Sequence, residues 1–146
     1  MAAEHTLEAK RLDFLNALNN GGGVVEAAAY LRSGGDINAA IVPLIEQTML
    51  HYAAIYRNGS LIEFLAQHGA NINSTNAHGM TALHLAVMHE IDAVMLKKQE
   101  IDFPIARHLV GLGALLDVSD NQGRTPRAYA ELYGQSIADL FDEAVK

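Results

Sequence analysis

The chain contains no cysteine. It therefore has no disulfide framework, no thiolate metal ligand and no cysteine nucleophile. That absence fits a reducing compartment, and the expected location is cytoplasmic. No apolar run approaches the roughly 18 residues that a membrane-spanning helix needs. The first residues, Met1-Ala2-Ala3-Glu4-His5, lack the basic and apolar regions of a secretory signal. Basic residues are scarce too: 10 stand against 17 acidic ones, for a net charge of −7. Such a field disfavours nucleic acid and anionic membrane, and favours a basic partner. What the chain does have is apolar surface to bury. Half of its 146 residues are apolar, enough for the core of one domain.

A short phrase occurs three times: Thr48-Met49-Leu50-His51-Tyr52-Ala53-Ala54, Thr81-Ala82-Leu83-His84-Leu85-Ala86-Val87 and Thr125-Pro126-Arg127-Ala128-Tyr129-Ala130. Thr48 and Thr81 stand 33 residues apart, and Thr125 follows 44 later, which is the same period plus 11. A second phrase keeps step: Gly34-Gly35-Asp36-Ile37-Asn38, Gly69-Ala70-Asn71-Ile72-Asn73 and Gly113-Ala114-Leu115-Leu116-Asp117. A period of about 33 carrying Thr-Pro-Leu-His-x-Ala is the mark of the ankyrin repeat. The chain resembles that family.

The resemblance implies an all-α solenoid with β-turn or hairpin fingers, about four stacked ankyrin repeats in a single domain over 1–146. The units are expected at about 6–38 as N-terminal cap, 39–73, 74–117, and 118–146 as C-terminal cap. Each unit is a turn and two helices that cannot bury its own apolar face, so neighbours must stack. The cap units have one neighbour only, which explains the missing phrase in the first. The 11 extra residues fall within 88–103, between the third unit's helices. They are expected either to lengthen the helix before them or to form a separate turn, and to be dispensable for folding. Pro104 suits a first helical turn, with Asp102 as its expected N-cap.

Chemistry-bearing residues are few. Thr48, Thr81 and Thr125 are placed to cap helices, with Pro126 fixing the first turn of the last unit. His51 and His84 follow the threonines by three residues and are expected to hydrogen-bond back to the turn, a structural role. His89-Glu90 begins like a zinc-protease motif, but position 93 is Ala93, so the second ligand is missing. His84 and His89 are five apart and so lie on different helix faces. No set of three or four converging metal ligands is legible. No catalytic residue, cofactor site or metal site is expected, and the chain reads as a non-enzyme.

Binding is the expected function. In the family, first helices and hairpin tips line a concave surface for a protein partner. The in-register helix positions are Ile55, Tyr56, Met88, His89, Leu132 and Tyr133. The tip positions are Thr75, His78 and Met80 in one hairpin, and Asn121 and Arg124 in the next. The connection over 39–47 differs from these polar tips: Ile41, Val42, Leu44 and Ile45 surround Pro43. Four aliphatics on an exposed finger are costly to leave wet. They are expected to touch a partner or a second copy, giving a monomer or a weak homodimer, or else to pack back on the first repeat. Two rival readings are a regulatory or inhibitory subunit of one enzyme, and a metal-dependent enzyme built on His84, His89 and the insertion.

Overall fold

The helix pairs expected from the repeat period are present throughout the computed structural model, which describes residues 2–97 and 101–146, with side chains from residue 6 onward. α1 (Ala2–Leu18) and α2 (Val24–Arg32) form the first pair. α3 (Met49–Ile55) and α4 (Gly59–Gln67) form the second. α5 (Ala82–Lys97) and α6 (Pro104–Gly111) form the third, and α7 (Pro126–Glu131) and α8 (Gln135–Ala144) the fourth. Among the described residues there is no strand, only an antiparallel bridge between Val42 and Gln47. The fold is the expected all-α stack of repeats. No described helix is long and apolar enough to cross a membrane.

One helix of each later pair starts at a threonine. Thr48 and Thr125 take extended backbone, and their side-chain oxygens accept the N–H of His51 and Ala128. Thr81 does the same for His84. Such caps contribute about 0.5–2 kcal/mol each. Glycines close the second helices where a side chain would be strained: Gly69 and Gly113 sit at φ 90° and 103°.

The core runs the length of the stack. α3, α5 and α7 pack closely on one another, whereas α2, α4, α6 and α8 touch more sparsely. The row of first helices is therefore the more closely packed side. Met49, Leu83, Ala86 and Tyr129 fill the first-helix layer, and Leu61, Leu65, Leu109 and Phe141 the second. Phe103 and Phe141 meet edge to face, 5.6 Å between centroids, at the seam of the last two units.

One open alternative is resolved, and two expectations need correction. The insertion lengthens the helix before it: α5 runs on to Lys97, while residues 98–100 lie outside the described residues. Nor is it wholly peripheral, because Ile91 and Ile101 are buried. Their burial ties Ile91 and Ile101 into the core, against the expected dispensability. Asp102 does not cap α6. The N-cap position is Phe103, in a left-handed conformation at φ 51° with no side-chain cap bond. Glu90, reaching across from α5, supplies the missing acceptor. Its Oε1 takes the Ile105 N–H at 2.6 Å and its Oε2 the Ala106 N–H at 3.2 Å.

Candidate protein-binding surface

The repeat-motif histidines fasten one unit to the next. His51 Nδ1 accepts the Thr48 N–H at 3.1 Å, which leaves Nε2 as the donor to the Met80 carbonyl at 3.0 Å. His84 repeats this with Thr81 N–H at 3.1 Å and the Arg124 carbonyl at 2.9 Å. Each ring spans from its own helix start to the hairpin of the following unit. Burial holds both imidazoles below their ordinary pKa, against the opposing pull of the carbonyls they donate to. Both nitrogens of His84 are engaged, so it has no lone pair for a metal. Its partner in the metal reading, His89, is half-buried on α5, and burial lowers its pKa as well. Among the described residues, no three His, Cys, Asp or Glu side chains converge as a metal set.

A parallel device shapes the tips. Asn76 Oδ1 accepts from the N–H of His78 and Met80, and Asp120 Oδ1 from those of Gln122 and Arg124. Both residues stand five before a capping threonine, a spacing that the sequence reading passed over. Burial of the Asp120 carboxyl pushes its pKa up, but the Tyr129 hydroxyl and these N–H donors outweigh it and hold it below the ordinary range. Five before Thr48 stands Pro43 instead. There the finger turns by a short 3₁₀ segment, Pro43–Ile45, closed by Glu46 at φ 55°.

The finger does not expose all four aliphatics. Ile41, at 1% exposure, is core, drawn inward where its N–H meets the Gln47 carbonyl at 2.7 Å. Val42 and Ile45 are half-buried. Only Leu44 stands clear, at 90% exposure. Met80 is likewise buried among the core residues, so it and Ile41 leave the exposed set. The tips are joined in a row by backbone. The Ala77 N–H donates to the Ile45 carbonyl at 3.0 Å, and the Asn121 N–H to the His78 carbonyl at 2.9 Å. The Asn121 amide also donates to the Ala77 carbonyl at 2.9 Å. Thr75, His78 and Asn121 are exposed along this row. Arg124 is half-buried, with its guanidinium 5.7 Å from the Tyr129 ring centre and bonded to Gln122.

The helix positions divide similarly. Ile55, Met88 and His89 are half-buried, whereas Tyr56, Leu132 and Tyr133 are exposed. The last three lie at the ends of α3 and α7, away from the tips. The Tyr56 hydroxyl donates to Asn19 and that of Tyr133 to Asp92, both at 3.1 Å. That hydrogen bond, with some burial, raises the Tyr133 pKa. The structure thus brings Leu44, Thr75, His78 and Asn121 into one neighbourhood and leaves the three helix-end residues in another.

Comparison with known proteins agrees with the repeat fold. The pattern described as "Ankyrin repeats (3 copies)" matches residues 14–103. Ankyrin repeat and SOCS box protein 6 of Mus musculus is 30% identical over 105 residues, covering 71% of this chain and 22% of that protein. Palmitoyltransferase AKR1 of Lachancea kluyveri is 31% identical over 105 residues, with 72% and 12% covered. Rabankyrin-5 of Mus musculus is 30% identical over 122 residues, with 77% and 10% covered. The chain therefore spans only a small part of the length of these relatives. With three matched repeats and their capping geometry in place, the chain belongs to the ankyrin-repeat family.

Proposed function

We propose that this chain is a non-catalytic binding module whose protein partner docks along the row of hairpin tips, anchored on Leu44 at one end, and onto the adjoining first helices. Ankyrin repeats are generally protein–protein interaction modules, and the specific surface is the proposal. Leu44 carries it: a leucine 90% exposed on a finger held from both sides. The bridge to Gln47 fixes the finger's base, and the Ala77–Ile45 bond fixes its tip to the next hairpin. A leucine displayed on a preorganised turn loses little entropy when a partner covers it. Burying it contributes about 1.5–3 kcal/mol. Between the next two tips of the row, His78, Asn121 and Gln122 rim a cleft of about 200 Å³ with Met80, Asp120 and Tyr129. An apolar knob with a polar, hydrogen-bonding rim is the usual make-up of an interface centre. The net charge of −7 favours a basic partner surface.

The experiment is site-directed photocrosslinking in the native cell extract. A photoreactive amino acid at position 44, 78 or 121 should trap the same partner. The same amino acid at position 67 or 111, exposed on the second-helix side, should trap none. Equal trapping from both sides would refute the assignment of the surface.

A further inference from the structure

Residues of α5, the stretch 101–105 and Arg57 line a cavity of about 290 Å³. Its apolar wall is Val94, Ile101, Phe103, Pro104 and Ile105. Val94 and Ile101 lie within 88–103, the stretch that holds the 11 residues beyond the repeat period, so that stretch builds part of this wall. Three charged residues also line it: Glu90, Asp102 and Arg57. The two carboxylates already have partners. Glu90 holds the N–H groups of Ile105 and Ala106, and Asp102 pairs with the Arg107 guanidinium at 2.8 Å. Arg57 differs. It is exposed, and its charge acts on Glu90 from beyond ion-pair distance, so among the described residues no carboxylate pairs with it directly.

We propose that this cavity receives an apolar side chain of a partner protein, with a neighbouring carboxylate of that partner pairing with Arg57. Apolar walls offer water few hydrogen bonds, so an apolar group is the favoured filling. The volume falls at the low end for a small-molecule site, which usually begins near about 300 Å³. One leucine- or phenylalanine-sized side chain suits it better. A guanidinium is built to take a carboxylate through paired N–H donors. A basic partner segment would find both carboxylates of the cavity already committed. The site is separate from the hairpin tips and goes beyond the surface proposed above. It also runs against the chain's overall charge of −7, so recognition must be local and must depend on Arg57.

The test is a titration of the full chain, observed through its backbone amide NMR signals, with two capped peptides. They are acetyl-Gly-Phe-Glu-Gly-amide and its glutamine counterpart, which differ only in the charge. The glutamate peptide should shift the amides of Arg57, Ile101, Phe103 and Ile105. The glutamine peptide should bind about threefold more weakly, the order expected of an exposed ion pair. In Arg57→Gln the two peptides should bind alike. Arg57→Gly provides a second removal of the cation, and glycine suits the left-handed backbone at φ 53°. Equal affinity of the two peptides for the parent overturns the proposal. So does a charge preference that survives both Arg57 variants, or shifts confined to other parts of the chain.

Discussion

Glu90 and Ile105 are joined across the insertion by a 2.6 Å hydrogen bond from the Ile105 N–H to the Glu90 carboxylate. With Ala106 as second donor, one buried side chain does for α6 what a local N-cap does elsewhere. Glu90→Ala should therefore destabilise strongly, on the order of 3 kcal/mol, since each buried N–H left unpaired costs about 1–3 kcal/mol. Glu90→Gln keeps one acceptor and should cost less. Asp102→Ala removes only an exposed pair with Arg107 and should cost under about 1 kcal/mol. Denaturant melts of the three variants rank them, and an Asp102→Ala loss larger than the Glu90→Ala loss would reverse the assignment of the cap.

The insertion should resist deletion. Joining Glu90 to Asp102 removes Ile91 and Ile101, both buried. Each contributes about 1.5–3 kcal/mol by burial, far more than the fraction of a kcal/mol that shortening a free loop changes. The deleted chain should melt well below the parent by circular dichroism. An unchanged melt would show that the cap on α6 and the core around Phe103 re-form without these residues.

His51 and His84 should make the fold sensitive to mild acid. Both have folded pKa values depressed below the unfolded value of 6.5 by burial. The unfolded chain thus binds the proton more readily, and stability is lost as pH falls from 6.5 through the folded values. Glu90 opposes this. Burial raises its pKa above 4.5, so its contribution is present at low pH and fades as pH rises through the raised value. Comparing parent with His84→Gln isolates the histidine's share: the variant should be less stable at pH 7.5 and lose less stability on acidification. Parallel pH profiles for the two proteins would contradict the role given to His84.

His84→Ala and His51→Ala should each cost about 1–3 kcal/mol, the range for unpairing buried polar groups. In both cases a carbonyl of the following unit loses its donor, Met80 for His51 and Arg124 for His84. Added zinc should leave the parent's melting temperature unchanged, because these ring nitrogens are already bonded. A zinc-dependent rise that disappears in His84→Ala would restore the metal reading.

How much of this was legible in the sequence depended on how local each interaction is. Thr48–His51 and Thr81–His84 act over three residues, so the phrase itself carries their geometry. The repeat period carried the pairing of helices. Asn76 and Asp120 were equally local, five residues before Thr81 and Thr125, and comparison of the tips at that spacing would have found them. Glu90 was not legible as a cap, because its partners lie 15 and 16 residues away across a segment outside the repeat. The finger shows the same limit. Ile41, Val42, Leu44 and Ile45 are alike in chemistry, and only the Val42–Gln47 bridge with the turn at Pro43 decides that Ile41 faces in and Leu44 out.

Leu44→Asp, measured for partner binding and thermal stability in the same preparation, tests the central claim most directly. Leu44 is almost wholly exposed, so the melt should stay within about 0.5 kcal/mol of the parent. Ile41→Asp, placing a charge in the core, should by contrast unfold the first repeats. The partner trapped from position 44 should bind Leu44→Asp about ten- to a hundredfold more weakly, from the loss of one leucine's burial. Full-strength binding by a Leu44→Asp protein with the parent's melt would contradict the account.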